Sequence, residues 1–217
     1  MLLQTRLPDG GPLYAETNLD HLIAEPWNAA SAALFLLIVA YWARKIWGKW
    51  RENPFLSFVV PVLAIGGIGG SLYHAFRVSQ VFLTMDWMPI MILCLAASMY
   101  FFSLASGRWW LGLLVMVVLF FLQGLMYRLL PPSFGINAGY ALMGLMVLTP
   151  TVWLLALRRF EGAKWVALAL IAFVAALFFR IADGWGWLPM GTHFLWHVFG
   201  AAACHLMLEF IYRLKKA

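Results

Sequence analysis

The sequence predicts an all-α membrane protein of seven transmembrane helices, N-terminus outside and C-terminus cytoplasmic. Composition is the first of three observations behind this. The 217 residues are 64% hydrophobic, 17% aromatic and only 11% charged, with mean hydropathy +0.85. A soluble domain is about half apolar and a quarter charged. The second observation is that apolar stretches recur at the length of a membrane crossing, about 20 residues each. The third is that Lys and Arg gather in alternate loops. Seven crossings take roughly 140 residues and leave only short connections. A soluble enzyme, a disordered regulator and a large extramembrane domain are all excluded.

Residues 1–26 form an extracytoplasmic segment and 27–217 the seven-helix domain. The opening MLLQTRLPDGGPLYAETNLDHL lacks a basic start, an apolar run and a small-residue cleavage site. No removable signal peptide is expected, and the first span, 27–47, serves as the targeting signal. The second span, 55–76, carries Gly66, Gly67, Gly69 and Gly70, which suggest close helix packing around a flexible stretch. The third, 86–105, rests on the 21 uncharged residues between Asp86 and Arg108. The fourth and fifth are 109–129 and 138–157. The sixth, 164–182, has the shortest uncharged run, the 15 residues Trp165–Phe179. The seventh, 192–212, lies within 25 uncharged residues between Asp183 and Glu209.

One side of this arrangement carries Arg44, Lys45, Lys49, Arg51, Arg108, Arg158, Arg159, Lys164, Arg213, Lys215 and Lys216. The other carries only Arg6, Arg77, Arg128 and Arg180. The positive-inside rule then makes the first side cytoplasmic. Trp27, Trp47, Trp109, Trp110 and Trp187 fall near the expected interfaces, as an aromatic belt does. The net charge of +6 is thus a topology signal and not a nucleic-acid face. Cys94 and Cys204 stand inside apolar spans without a Cys-x-x-Cys and read as small hydrophobes.

Four ionisable residues stand at one level, where each is costly to bury in a bilayer. His74 is near the outer end of the second span, Asp86 opens the third, and His193 and His197 lie in the first turns of the seventh. In HFLWH the two imidazoles are four residues apart, on one helical face about 6 Å apart along the axis. That spacing lets both bind one metal. With His74 they make three neutral nitrogen ligands and leave a tetrahedral position open, the pattern of catalytic zinc. Asp86 can orient a water, take its proton or bond a ligand imidazole. Plainer readings stand beside this: a membrane histidine bonding a neighbouring helix, and Asp86 capping its own. Haem between facing imidazoles is another, but it does not account for a His pair at i, i+4 with a carboxylate level with it.

The order GGSLYH, Asp86 twelve residues on, and HFLWH in the last span resembles the alkaline ceramidase branch of the CREST hydrolase superfamily, in a bacterial-type form. The likeness runs from EPWN at 25–28 to the last helix. It implies a seven-helix zinc hydrolase cleaving the amide of a ceramide-like N-acyl lipid, with His74, His193 and His197 as ligands and Asp86 beside the metal. The family's serine, four residues before the first histidine, is Gly70 here. Ser71, three before His74 on the same face, is the candidate to stabilise the oxyanion or hold the water. The family also binds calcium near its N-terminus. Glu16 and Asn18 fit a Glu-x-Asn pattern, and Glu25 and Asn28 match the start of the first span, although the expected aspartate is Leu13. Against Ca2+ stands Asn28 as a helix cap with the rest solvated; hard cations take six or more oxygens.

Among the remaining polar residues, Arg180 and Asp183 are placed to pair with each other. Arg77 stands one turn beyond His74, where a phosphate or carboxylate would meet it. His205 reads as a packing histidine, and Glu209 with Arg213 as an i, i+4 pair. The expected partner is a membrane lipid substrate, with no nucleic acid and no obligate protein partner. A bacterial inner membrane with the site facing the periplasm is the location these loops suggest. A lipid-binding receptor-like protein with structural zinc and a haem-bearing electron carrier are the alternatives.

Overall fold

The computed structural model describes residues 7–214, the side chains of Tyr127, Pro132 and Ser133 apart. Arg6, Lys215 and Lys216, used above for orientation, lie outside them. The protein is all-helical: 77% of it is helix, without strands among the described residues. The helices are α1 (Pro26–Ala32), α2 (Leu34–Lys45), α3 (Pro54–Phe76), α4 (Gln80–Ser106), α5 (Trp110–Leu129), α6 (Pro132–Leu157), α7 (Ala163–Ala182) and α8 (His193–Leu214). A 3-10 turn, Asp183–Trp185, follows α7. α1 and α2 together make one crossing-length unit, Pro26–Lys45.

Among the described residues six helical units are long and apolar enough to cross a membrane, so the protein is membrane-embedded. α5 is the shorter one; its apolar part is Trp110–Met126. Connections of a few residues, such as Arg77–Ser79 between α3 and α4, force successive helices antiparallel. α7 with α8 and α3 with α4 are the most extensive pairings, and α1 packs on both α3 and α8. The main core, around Trp42, Leu56, Phe101, Leu154, Phe210 and Ile211, lies away from the histidines. The tryptophans expected at the interfaces are exposed.

The glycines of α3 are a packing device within one continuous helix rather than a flexible stretch. A Cβ at Gly67 would stand 2.8 Å from Leu36 Cδ2, and one at Gly69 only 2.2 Å from Met85 Cβ. Without side chains there, α2 and α4 close onto the α3 backbone. Two boundaries differ from expectation. α4 starts at Gln80, capped by Ser79, whose Oγ accepts from Val81 N at 3.2 Å. Asp86 therefore does not open its helix and caps nothing; it sits in the second turn and faces inward. Asn28 is likewise inside α1 rather than at its cap, which Glu16 supplies from the N-terminal segment by accepting from Trp27 N at 2.6 Å and Asn28 N at 2.9 Å.

Candidate metal centre

Two helix ends meet to make the site. α3 ends at Arg77, whose φ of 55° stops the helix just after His74. α8 begins at His193 because Asp183, swung over by the turn after α7, caps it. Asp183 Oδ1 accepts from Thr192 N and His193 N, both at 2.8 Å. Gly191, at φ 71°, makes the approach possible: a Cβ there would lie 2.3 Å from Asp183 Oδ1. Asp183 Oδ2 also accepts from Ala15 N at 2.9 Å, which holds the N-terminal segment over the site. The expected Arg180–Asp183 pair is not made, because α7 ends at Ala182 and Asp183 turns away to this cap.

His74, His193 and His197 converge, all three buried. One candidate ligand atom from each lies within 4.8 Å of the others. Ring centroids are 4.8 Å apart for His74 and His197, 4.9 Å for His193 and His197, and 5.4 Å for His74 and His193. Two rings are held from behind. His74 Nδ1 bonds Glu25 Oε2 at 2.5 Å. His197 Nδ1 is 2.8 Å from Ser31 Oγ, whose own proton goes to the Asn28 carbonyl at 3.0 Å. Since that hydroxyl donates elsewhere, His197 Nδ1 carries the proton, and a proton on His74 Nδ1 satisfies Glu25. Each ring then presents an unprotonated Nε2. His74 Nε2 and His193 Nδ1 are buried without any hydrogen-bond partner.

Such orphaned nitrogens are uncommon in a folded interior. They are what a metal site requires: neutral imidazoles oriented through their second nitrogen by a carboxylate and a hydroxyl. The donor set, three neutral nitrogens, suits zinc and other borderline divalent ions.

Asp86 stands on the α4 side. A Cβ on Gly70 would lie 2.6 Å from its Oδ1, so the carboxylate packs against bare α3 backbone. It accepts no hydrogen bond from a described residue, lies within electrostatic reach of His74 and Arg180, and lines a cavity with His197. Ser71 is placed differently. Its Oγ donates to the Gly67 carbonyl of its own helix at 2.8 Å, and no contact joins it to the histidines.

The four calcium candidates each have hydrogen-bond partners of their own. Glu16 caps α1, and Asn18 Oδ1 accepts from Asp20 N at 3.0 Å. Glu25 is surrounded by donors: Thr17 Oγ1 at 2.5 Å, Asn28 Nδ2 at 3.2 Å, His74 and the Arg77 guanidinium. Asn28 Oδ1 is buried without a partner. The cation among these carboxylates is Arg77. It is fully buried and donates from Nε to Asp9 Oδ2 at 2.7 Å and from a terminal nitrogen to the Pro12 carbonyl at 2.8 Å. Burial pushes the Glu25 carboxyl up, but the His74 bond and the Arg77 charge outweigh it and hold it below the usual range. Burial also disfavours the Arg77 charge, and Asp9 and Glu25 more than restore it.

Sequence reading missed Asp9, Tyr14, Ser31 and the capping role of Asp183. Tyr14 stacks on His193 with centroids 3.9 Å apart and covers the cluster. Asp9 and Tyr14 lie in an irregular segment without periodicity to read. Ser31 carried a usable signal, since it follows Asn28 by three residues and shares its face of α1.

Beyond the histidines an apolar cavity of about 260 Å³ runs down the bundle, lined at one end by Asp86, His197, Tyr140 and Trp196 and at the other by Phe55 and Ile211. From His197 to Ile211, α8 advances about 21 Å. Cys94 and Cys204, both unpaired, line its middle. At the far end His205 packs on Tyr41 and Trp42, and Glu209 accepts from Arg213 at 2.7 Å and from Lys45 at 2.6 Å. No protein-family model matches the chain, and no curated protein sequence matches it.

Proposed function

We propose that the protein is a zinc-dependent membrane hydrolase of alkaline ceramidase type that cleaves the amide of an N-acyl lipid. In this reading the chain has seven spans, α5 included, with the histidine end facing the periplasm of a bacterial inner membrane and the basic end in the cytoplasm. One observation carries it: three buried imidazoles stand together at the polar end of a long apolar cavity, His74 and His197 held from behind by Glu25 and Ser31, with His74 Nε2 and His193 Nδ1 lacking any hydrogen-bond partner among the described residues. Packing histidines would have used those nitrogens on neighbours. Rings in mutual contact at these distances favour one small ion over a haem.

His74, His193 and His197 would hold the metal. When bound, zinc supplies Lewis acidity that brings a water's pKa near neutral and polarises a carbonyl. The protein's own groups do the rest. The acyl chain lies in the cavity, which excludes water from its length and sets the carbonyl at the histidine end. Asp86, free of other partners and level with His74, takes a proton from the attacking water and returns it to the leaving amine. Glu25 and Ser31 keep the ligand rings in one tautomer. Tyr14 closes the aqueous side. Ser71 keeps its helix bond in the resting site, and an oxyanion role would need it to rotate. For calcium, the Arg77 guanidinium already takes up the negative charge that Glu25 would otherwise offer a second cation.

Elemental analysis of purified protein beside His193→Ala, with release of fatty acid from N-acyl lipids, tests this. About one zinc per chain, lost with turnover in the variant, is the expected result. Zinc without turnover on any N-acyl lipid would turn the reading to a lipid-binding protein with structural metal. A folded wild type without metal would end it.

A further inference from the structure

Arg180 is the charge in the protein that the catalytic reading leaves unused. It lies in the last turn of α7, inside an apolar helix, and among the described residues no carboxylate is within ion-pair distance of it. Asp183, its neighbour in sequence, is committed to three backbone N–H groups. Arg180 instead takes neutral partners. Nε donates to Asn137 Oδ1 at 3.1 Å, the Tyr14 hydroxyl lies within its electrostatic reach, and the rings of Tyr140 and Trp196 lie 4.6 and 5.3 Å from it. Those rings line the polar end of the cavity with Asp86 and His197. Tyr14, within electrostatic reach of Arg180, stacks on His193, and the arginine's field also reaches Asp86 and both histidines of α8.

The contrast with Arg77 defines the role. Arg77 is enclosed by two carboxylates and a carbonyl and has no room for a ligand. Arg180 is oriented by two aromatic faces and the Asn137 carbonyl, with a five-donor fork and no carboxylate in ion-pair contact, directly behind the Tyr140 and Trp196 rings that line the polar end of the cavity. A charge in an apolar span without a counter-charge in contact is a functional-site candidate by default. Its place on the last turn of α7, above the cavity, puts it on the headgroup side of the scissile bond.

Building on the N-acyl lipid reading, we infer that Arg180 binds an anionic group of the substrate, so that the protein acts on N-acyl lipids whose headgroup carries a carboxylate or phosphate close to the amide. A neutral N-acyl alcohol lipid would leave the guanidinium without its counter-charge.

The test measures binding and turnover separately on the full chain in detergent. Binding of N-oleoylglycine, N-oleoylethanolamine phosphate, neutral N-oleoylethanolamine and oleate is followed by ligand-induced thermal stabilisation, in wild type, Arg180→Gln and Arg180→Lys. A charged hydrogen-bonded pair corresponds to about a 10- to 100-fold difference in affinity. Wild type should therefore favour one or both anionic amides over the neutral one by at least about tenfold. Arg180→Gln should lose that preference while binding the neutral amide as before. Lysine keeps the charge without the fork, so Arg180→Lys should retain part of the preference, and it carries the comparison if the glutamine variant fails to fold. Equal affinity of wild type for charged and neutral amides would overturn the inference, as would a preference that survives in Arg180→Gln. Dependence on Arg180 for oleate alone would also overturn it, by assigning the arginine to the acyl product. Anion preference without turnover would leave this inference standing and sink the hydrolase; equal turnover of all three amides would do the reverse.

Discussion

The two ends of the helical bundle each hold an ion-pair cluster, and the clusters differ in kind. At the far end Lys45, Glu209 and Arg213 join across α2 and α8, with Arg213 more than half exposed. Glu209 is buried but both cations reach solvent, so these pairs are screened more than enclosed ones and contribute less. At the histidine end Asp9, Arg77, Glu25 and His74 form a chain of two ion pairs and the His74–Glu25 hydrogen bond, all with fully buried side chains. Each desolvated charge there is tolerable only because its partner is present. The far cluster fastens two helices. The near one ties an irregular segment to two helix ends and terminates on an imidazole whose other nitrogen has no partner. Buried charge thus stands where it fixes the orientation of the His74 ring, and on the zinc reading that orientation would serve a ligand.

The sharpest way to break this comparison is to cut the chain of charges. Replacing Arg77 by Met leaves Asp9 and Glu25 facing each other in the interior, and losing one partner of a buried pair costs about 3–5 kcal/mol. We expect a large fall in the thermal midpoint of the purified protein and a preparation poor in zinc. Arg77→Lys keeps the charge but not the fork that spans Asp9, Pro12 and Glu25, so it should recover only part of the loss. A midpoint within a degree or two of wild type for the Met variant would show that the chain is not what holds the N-terminal segment down.

Glu25→Gln is the next largest. The amide keeps a similar shape and can still accept from His74 Nδ1, but it no longer balances Arg77 and makes a weaker bond. Loss of such a second-sphere partner commonly lowers metal affinity by 10- to 100-fold. Zinc titration against a competing chelator should show a shift of about that size in a protein that still folds. An unchanged affinity would mean that Glu25 serves only Arg77.

The same contrast explains how much could be read from the sequence. Hydropathy located seven apolar segments, and helical spacing put His193 and His197 on one face, because both signals are local. His74 and Asp86 were legible as ionisable residues in apolar surroundings. Asp9 and Tyr14 were not, since their partners are more than 60 residues away and the segment that carries them has no period. Asp86 was placed at the start of its helix because it is the first charge met. Gln80 and Thr84 belong to the helix all the same, and Ser79 caps it. Arg180 and Asp183 look like a pair at i, i+3, but such a rule holds only while the helix continues. Here α7 stops between them, and the aspartate caps α8 instead.

Gly70 probes the role proposed for Asp86 without touching a histidine. A side chain there would overlap Asp86 Oδ1, so Gly70→Ala should push the carboxylate out of position while the three histidines stay in place. A misplacement of about 1 Å can lower a rate by about 100-fold. Full zinc content with strongly reduced fatty-acid release is the expected result. Unchanged turnover would remove Asp86 from the proton-transfer role, since the substitution cannot be accommodated without moving it.

The smallest effect is expected at the far end. Glu209→Gln removes the carboxylate between Lys45 and Arg213, leaving two cations that both have other company. Lys45 lies over the rings of Trp42 and Tyr212 at 4.5 and 4.6 Å, and Arg213 lies over Trp165 at 4.7 Å. Both can also turn to water. A partly exposed pair contributes about 0–1 kcal/mol, so the thermal midpoint should move by a few degrees at most, with zinc content and turnover as in wild type. The histidines lie about 20 Å away along α8. Coupling over that distance would require the cavity between them to change shape when its far end loosens. If Glu209→Gln instead lowered turnover with zinc retained, the apolar cavity would be the transmitting element, and the two ends could no longer be treated as independent.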